Sequence, residues 1–542
     1  MTIEGYGIII YNASLYQCHA VAYLTKAIKQ IMRNLLLNIF LFSTLSSYPQ
    51  SSETLKIRNY RQQNEYAIIS EFVSFLSIPN IAIDTLNLKK SANFMMDMMN
   101  KRGISQVKLL SAKTTGAPPV VYGEVLVHGA TQTIIFYAHY DGQPVNASQW
   151  SNELLPFSPA LYTSALYKDG KPIPFPATAD TYNPEWRIYA RGASDDKGGV
   201  AAILNAYEAV KNSGMPINTN LKFFFEGEEE AGSSHLQEIL EKYKSILQSD
   251  LWIICDGPVH QSGKKQISFG VRGDTHLDLT IYASKRPLHS GHYGNWAPNP
   301  AMMLAKLLAS MKDDNGKVII KNFYNDVMPF TAAETKALNE VPGVDQQMKD
   351  ELGILNTEMK GKSLSEAINL PSLNINGMQS ANVGKMAANV IPTTATAVLD
   401  LRLVLGNDWK RQQQKVIDHI KLQGYTVLDH EPTDEDRKKY PKLIKVIADK
   451  DGTNAQRTSM NIPIIKKVIE AVKSTTNEQV VLMPTLGGTL PLYIFEKYLD
   501  AKTITVSINN HDNNQHAENE NIRIQNFWNG IETLASLMIM KY

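Results

Sequence analysis

Short apolar runs alternate with helical stretches through the first half of the sequence, and this alternation constrains the fold more than any other feature. Runs at 133–141, 221–229 and 251–256 are rich in β-branched and aromatic residues and nearly continuous in apolar character. Stretches with helical spacing, at 197–214 and 234–247, separate them. Strands of this kind joined by helices are typical of a sheet buried on both faces. The sequence therefore predicts an α/β fold with a helix-flanked, mostly parallel sheet.

The pattern changes about halfway along the chain. Residues 266–283 and 394–404 alternate apolar and polar side chains, as partly exposed strands do, and helical stretches follow them. We expect these segments to form a separate α+β domain that is inserted into the first one. The predicted division is a first domain over residues 48–263 and 455–542 and an inserted domain over 264–454.

The N-terminus has the layout of a secretory signal peptide. Arg33 gives a basic start, an apolar run over 35–45 follows, and small residues come next. The run has 11 residues, whereas a membrane-spanning helix needs about 20, so we expect no stable membrane anchor. Residues 1–47 are predicted to be a signal peptide, with Met32 as an alternative start of translation. A buried N-terminal helix is the competing interpretation. Cleavage would give an exported protein, either periplasmic or extracellular.

The composition excludes several classes of protein. Hydrophobic residues make up 43% of the chain and aromatic residues 8%, which excludes a disordered chain. The sequence has 54 Lys and Arg against 53 Asp and Glu, so the net charge of +1 gives no reason to expect a nucleic-acid partner. Two cysteines, Cys18 and Cys255, exclude a disulfide scaffold and a multi-cysteine zinc module.

Side chains that can bind metal stand where the predicted strands end. Ligands of open α/β sheets collect at the carboxyl ends of strands, and carboxylates gathered there repel one another unless a cation neutralises them. Each residue taken alone has an ordinary explanation, as a helix cap, a solvated acidic turn or a loop histidine. Together they favour a metal site. The residues are His139 and Asp141 after one strand, Glu229 and Glu230 after another, Asp256 after a third, and Asp195 before the helix at 197–214.

Six segments of the chain resemble, in order and context, those of the dinuclear zinc amidohydrolases. This family includes carnosinases and related dipeptidases, carboxypeptidase G, aminoacylases, acetylornithine deacetylase and succinyl-diaminopimelate desuccinylase. HSGHYGN, VIPTTATAVLDLRLV and GGTLP make the resemblance closest to the carnosinase-like dipeptidase branch. The six segments are HYD (139–141), GASDDKGG (192–199), EGEEEAGS (226–233), CDGP (255–258), LHSGHYGN (288–295) and QHAENENI (515–522).

The resemblance implies a metal centre with two zinc ions per chain, for which cobalt and manganese are alternatives. His139 and Asp256 would hold one ion. Glu230 and His516 would hold the other. Asp195 would bridge both.

The resemblance also implies the roles of the residues around the metals. Glu229 would be the general base and Asp141 would orient His139. The inserted domain would be a lid and dimerisation domain, from which His289 reaches across a homodimer interface to stabilise the oxyanion. The residues that match positions holding the substrate carboxylate are Arg402, Gly487, Gly488 and Thr489.

Two departures from the family pattern concern substrate recognition. Thr485 stands where the carnosinase branch usually has an arginine, so a substrate carboxylate is expected to be held less tightly. The segment 156–182 lengthens the connection between Asp141 and Asp195 and is expected to line the rim of the cleft.

The leading hypothesis is a zinc-dependent exopeptidase, specifically a dipeptidase, that attacks the peptide bond with a metal-activated water. The alternative is an N-acyl amino acid deacylase that uses the same residues on an acyl group. A non-catalytic binding protein of the same fold is a third hypothesis, which the complete set of candidate ligands disfavours.

Overall fold

The computed structural model describes residues 50–151, 153–177 and 181–541. The first strands are β1 Ser105–Leu110, β2 Val120–Val125, β3 Thr133–His139, β4 Ala160–Tyr162, β5 Pro172–Ile173, β6 Arg187–Tyr189, β7 Asn220–Glu226, β8 Leu251–Ile254, β9 Gln266–Ser268 and β10 Gly270–Val271. The others are β11 Gly273–Tyr282, β12 Leu288–His289, β13 Ser372–Gln379, β14 Val390–Ile391, β15 Thr394–Leu403, β16 Thr426–Leu428, β17 Leu443–Ala448, β18 Gln456–Arg457, β19 Val481–Met483, β20 Thr503–Ser507 and β21 Asn521–Arg523.

The helices of the described residues stand mainly between these strands. They are α1 Ser52–Gln63, α2 Glu65–Leu76, α3 Thr85–Lys101, α4 Lys197–Asn212, α5 Leu236–Lys242, α6 Ser290–Tyr293, α7 Pro300–Ala309, α8 Ala332–Asn339, α9 Asp345–Leu352, α10 Leu364–Ile368, α11 Trp409–Leu422, α12 Asp434–Lys439, α13 Pro463–Lys473, α14 Leu492–Leu499 and α15 Ile524–Met538.

A central sheet carries the first part of the fold. Within the described residues it has eight strands in the order β1-β2-β7-β3-β8-β20-β9-β19. β7, β3, β8 and β20 are parallel to one another, while β1–β2, β2–β7 and β20–β9 are antiparallel pairs. The predicted helix-flanked, mostly parallel sheet is confirmed.

The strand order of the central sheet departs from the order along the chain. β2 and β3 are consecutive in the sequence, but β7 lies between them. The helical connection α4 precedes β7, and a strand that follows a crossover helix can pair in parallel with the strand before the helix. β7 therefore pairs in parallel with β3 on one side and antiparallel with β2 on the other.

Helices cover both faces of the central sheet, as the apolar strands predict. Phe223 and Phe225 point to the face that packs against α4 and α15, and Phe224 points to the opposite face, which packs against α5 and α14. All three rings are fully buried. A strand whose successive side chains are all apolar needs cover on both sides, because successive side chains point to opposite faces.

A second sheet has five strands among the described residues, in the order β13-β15-β11-β17-β16. β11 and β15 pair antiparallel along ten residues each, with Asp274 opposite Arg402. Leu277 and Leu399 belong to its core, against which α7 and α11 pack. β9 lies in the central sheet, although the predicted inserted domain begins at residue 264. The domain bounds stay a prediction.

The predicted signal peptide over residues 1–47 lies outside the described residues. In the part of the chain that the structure describes, no helix has the length and apolar character needed to cross a bilayer.

Candidate functional site

The carboxyl ends of β3, β7 and β8 meet at one edge of the central sheet. His139 ends β3 and is opposite Glu226, which ends β7. Tyr137 is opposite Ile254 in the parallel pairing of β3 with β8. This register brings Asp256, two residues after Ile254, level with His139. The turn after β7 carries Glu229 and Glu230 to the same edge, so sequence-distant ligands converge because their strands are parallel.

Asp195 lies between the two predicted metal-binding histidines. Its Oδ1 is 3.1 Å from Nε2 of His139, and its Oδ2 is 3.0 Å from Nε2 of His516. We call Asp195 with His139 and Asp256 the inner half of the site, and Asp195 with Glu230 and His516 the outer half. Asp195 is therefore the one residue that belongs to both halves as defined here.

The inner half is deeply buried. Nε2 of His139 is 3.7 Å from Oδ2 of Asp256, and the His139 side chain has no exposed surface. In the outer half, Nε2 of His516 is 3.3 Å from Oε2 of Glu230. Gln143 donates a hydrogen bond of 2.8 Å to the same oxygen. The His516 side chain is 54% exposed while that of Glu230 is 3% exposed, so solvent reaches the outer half through His516.

Asp141 connects the inner half to the turn that follows β7. One of its carboxylate oxygens is 3.4 Å from Nδ1 of His139, on the side of the ring away from Asp195. The backbone N–H groups of Glu229 and Glu230 donate to the two carboxylate oxygens at 3.1 and 2.9 Å. A carboxylate behind a ligand histidine fixes the orientation of the ring. Asp141 therefore sets the positions of both the ring and the turn.

Glu520 holds the loop that carries Asp195, and the sequence analysis did not assign it a role. Its carboxylate accepts backbone N–H bonds from Gly192, Ser194 and Asp195 at 2.9–3.0 Å. Arg191 also donates to it, at 2.6 Å. Glu520 is fully buried and lies four residues after His516. Its hydrogen bonds therefore connect the loop that contains Asp195 to the segment that contains His516. In the sequence, Glu520 is one of two acidic residues in QHAENENI, and their spacing does not show which of them is buried.

Asp196 lies beside the site but has a different set of contacts. Ligand atoms of His139, Asp196 and Asp256 lie within 4.8 Å of one another, as do those of Asp195, Glu230 and His516. However, Asp196 Oδ1 accepts the N–H of Gly199 at the start of α4, and Oδ2 accepts the N–H of His139. Both oxygens already accept backbone hydrogen bonds, so Asp196 fits a helix cap better than a ligand.

The glycines that follow Asp196 are required by close packing. A Cβ on Gly198 would lie 2.3 Å from the carbonyl oxygen of Ala193, and a Cβ on Gly199 would lie 2.3 Å from Oδ1 of Asp196. Any larger residue would push the start of α4 away from the loop of Asp195. The GASDDKGG segment therefore has a structural explanation besides its resemblance to a family motif.

The electrostatics of the site fit a bound cation. Burial raises the pKa of Glu230 to about 8 and that of Asp256 to about 6, and Asp195 adds to both shifts. Burial also raises the pKa of Glu229 well above its ordinary value. Asp195 Oδ2 is buried and has no hydrogen bond of good geometry within the described residues. Buried carboxylates whose oxygens are not satisfied by hydrogen bonds are suitable ligands for divalent metals.

A cavity of about 680 Å³ opens from the metal-binding residues toward the second sheet. Arg402 lies on its wall, where Nη1 donates to Oγ1 of Thr489 at 2.9 Å and Nε pairs with Asp400 at 3.1 Å. Gly487, Gly488 and Thr489 line the same cavity. Thr485 is buried and does not line it.

His289 is the predicted site residue that the structure does not bring to the others. It is exposed at the end of β12, and its Nδ1 accepts the backbone N–H of Gly291 at 3.0 Å. It does not line the cavity formed by the described residues of its own chain.

Two imidazoles and several carboxylates at the carboxyl edge of a helix-flanked sheet, beside a cavity, define a metal-dependent hydrolase. The chain belongs to peptidase family M20/M25/M40, whose model matches residues 135–540. It is 27% identical to the Cys-Gly metallodipeptidase of Candida albicans, over 85% of this chain and 92% of that protein. It is 24% identical to the human Beta-Ala-His dipeptidase, over 85% of this chain and 83% of that protein.

A solved structure is also similar, that of an M20 family metallo-carboxypeptidase from Sulfolobus solfataricus. It shares 28% identity and a TM-score of 0.68, and the match covers 87% of this chain and 98% of that one. The predicted resemblance to this family and to its carnosinase-like branch is confirmed.

The prediction of export to the periplasm or the extracellular space is wrong. Similarity to the fungal Cys-Gly metallodipeptidases, which match 85% of this chain, overturns it. The apolar run over 35–45 suggested export because a short basic and apolar segment has the composition of a signal peptide. Composition alone does not distinguish such a segment from other apolar N-terminal sequences.

Proposed function

We propose that the protein is a dipeptidase that uses two zinc ions per chain. The observation that carries the proposal is the position of the Asp195 carboxylate, whose two oxygens lie 3.1 Å from His139 Nε2 and 3.0 Å from His516 Nε2. A metal in the inner half and a metal in the outer half would share this carboxylate as a bridging ligand.

The donor set fits zinc. Each half offers one imidazole, one carboxylate of its own and the shared carboxylate, which leaves open coordination positions, as in catalytic zinc sites. Cobalt and manganese accept the same donor types and are the alternatives. When bound, the two metals polarise the scissile carbonyl group and make the attacking water more acidic.

Glu229 is assigned as the general base. Its Oε2 lies 4.0 Å from Nε2 of His139, and its side chain lines the cavity. It removes a proton from the attacking water and then gives this proton to the leaving amine. Asp141 fixes the backbone of Glu229 and the ring of His139 together, so base and ligand keep their relative positions.

Arg402 and the turn at 487–489 are assigned to the carboxylate of the substrate. The guanidinium lies on the cavity wall and keeps donor groups for a carboxylate besides those it gives to Asp400 and Thr489. A free C-terminal carboxylate at this place makes the enzyme an exopeptidase. Both curated relatives described above are named as dipeptidases, so the N-acyl amino acid deacylase alternative is not favoured.

We also propose that the protein is a homodimer that contacts its second copy through the inserted domain. His289 is exposed and does not line the cavity of its own chain. Its predicted role in stabilising the oxyanion therefore requires the cavity of a second copy. Measuring the mass of the protein in solution tests the dimer directly.

Hydrolysis rates on a panel of dipeptides and matched N-acyl amino acids test the proposed activity. We expect zinc-loaded protein to hydrolyse dipeptides, and Glu229→Gln to lower kcat by about 10²- to 10⁴-fold with its metal content unchanged. Glu228→Gln is the matched control, because Glu228 pairs with His235 at 2.8 Å instead of lining the cavity. Activity confined to the N-acyl series would refute the dipeptidase assignment.

A further inference from the structure

One wall of the cavity is formed by the paired strands β11 and β15. Asp274 and Arg402 are direct partners in this antiparallel pairing, so their side chains lie on the same face of the sheet. Both residues line the cavity. A carboxylate therefore stands beside the guanidinium that is assigned to the substrate carboxylate.

The two charges next to each other have different partners. Arg402 is already paired with Asp400 at 3.1 Å and donates to Thr489. Asp400 has a second basic neighbour, since Nε2 of His276 is 3.7 Å away. The Asp274 carboxylate has no ion pair within 4.0 Å and no side-chain hydrogen bond in the described part of the chain, while its backbone pairs with Thr453.

The surroundings of Asp274 make an unpaired carboxylate unfavourable. The residue is half-buried at the cavity wall, and burial raises the pKa of its carboxyl group. A carboxylate that is partly removed from water gains free energy when a cation or a hydrogen-bond donor comes to it. Asp274 lines the cavity, which has room for such a group.

We propose that Asp274 is a specificity-determining residue that selects dipeptides with a cationic side chain on the C-terminal residue. The inference rests on the proposed function, which places the C-terminal carboxylate at Arg402. Cross-strand partners on one face have Cβ atoms about 4.5–5.5 Å apart. The group that reaches Asp274 therefore belongs to the same substrate residue whose carboxylate Arg402 holds. A lysine or arginine side chain would pair with Asp274 directly, whereas Arg402 and His276 attract its carboxylate only from beyond ion-pair distance.

Asp274 has a competing explanation: it acts as a second counter-ion of Arg402 and changes only how strongly Arg402 binds a substrate carboxylate. In that case its removal would change the binding of every substrate carboxylate to the same extent. Selection by Asp274 instead changes the preference between substrates that differ in side-chain charge. The ratio of kcat/KM for two matched dipeptides separates these explanations.

The experiment compares alanyl-lysine with alanyl-norleucine, whose side chains are similar in length and differ in charge. We expect the zinc-loaded enzyme to prefer alanyl-lysine by about tenfold or more in kcat/KM, and Asp274→Asn to remove most of this preference. Asp278→Asn is the matched control, because Asp278 is exposed on the same face of β11 and does not line the cavity. It should keep the preference of the wild type.

Equal losses for both dipeptides in Asp274→Asn would overturn the proposal, as would a wild-type enzyme without preference. Asp274→Ser, which also removes the charge, replaces the asparagine variant if that variant is insoluble. The Glu229→Gln variant allows dissociation constants of both dipeptides to be measured without turnover. If neither dipeptide is hydrolysed by the wild type, the proposed function fails. Tighter binding of alanyl-lysine that depends on Asp274 would still support the cation-selecting role.

Discussion

The inner and outer halves of the site have the same kinds of donor but are built on different supports. His139 ends a central strand and is fully buried, and Asp256 follows the neighbouring strand. His516 lies in the connection between β20 and β21 with a φ of 62°, and its side chain is 54% exposed. The sheet fixes the inner half, whereas loop contacts position the outer half.

This difference predicts that the two proposed metals are bound with unequal affinity. A buried ligand set on regular strands loses little entropy when a metal binds and excludes competing water. An exposed histidine on a loop is ordered at a greater cost. We therefore expect the inner half to bind its metal more tightly, with Asp195 as the residue on which both halves depend.

Asp195→Ala should have the largest effect on metal content and activity. It removes the carboxylate that both halves share, so neither half keeps its full set of ligands. We expect both metals to be lost and kcat/KM to fall on the order of 10⁴-fold. Metal content by atomic emission, together with the rate on a dipeptide, measures this. Retention of one metal at full occupancy would show that the halves do not depend on a common ligand.

Replacing each of the two histidines by alanine in turn tests whether the inner half binds its metal more tightly than the outer half. His516→Ala should keep close to one metal per chain and lose the other, since the inner half remains complete. His139→Ala should lose the tightly held metal. We expect kcat to fall by about 10²- to 10³-fold or more in both variants. The same metal content and the same dissociation constants in the two variants would contradict unequal halves.

Glu520→Gln should have a smaller effect, because it weakens the support of Asp195 without removing a ligand. Loss of the carboxylate charge disturbs three backbone hydrogen bonds and the pairing with Arg191. We expect metal affinity to fall by about 10- to 100-fold, measured by competition with a chelator. Glu518→Gln is the control, because Glu518 is exposed in the same segment. An equal effect of both variants would mean that Glu520 has no specific role.

Removing metal from the wild-type protein with a chelator should show the smallest expected effect, a difference between the release rates of the two metals. We expect metal to leave in two phases whose rates differ by about tenfold or more, because the outer half is open to solvent and the inner half is buried. Release of zinc to a chromogenic chelator over time measures the phases. A single phase that accounts for both metals would be inconsistent with the comparison.

Local patterns in the sequence predicted the fold class and the clustering of polar residues at the strand ends, whereas His516 was predicted only through the family resemblance. Apolar strands such as 221–229 can be recognised without knowing their neighbours, and polar residues at strand ends must lie near one another in a parallel sheet. The position of β7 between β2 and β3 could not be predicted, because pairing depends on which long-range contacts form. The periodicity of apolar residues within a strand does not show which strands pair with each other.

Residues that act through distant contacts were also beyond the sequence analysis. Glu520 reaches a loop more than 300 residues away along the chain, and nothing in its neighbourhood marks it as buried. Asp274 reads as one of several polar residues in an alternating strand. Its place on the cavity wall depends on the pairing of β11 with β15 and on the approach of two sheets.

The position of β20 has a consequence for how the protein is made. β20 lies between β8 and β9 in the central sheet, although it is the last of these three strands to be synthesised. Until residues 503–507 leave the ribosome, the facing edges of β8 and β9 have no partner. His516 and Glu520 follow β20, so a growing chain contains no complete outer half. The candidate site is therefore complete only after residues 503–520 have left the ribosome and the sheet has closed.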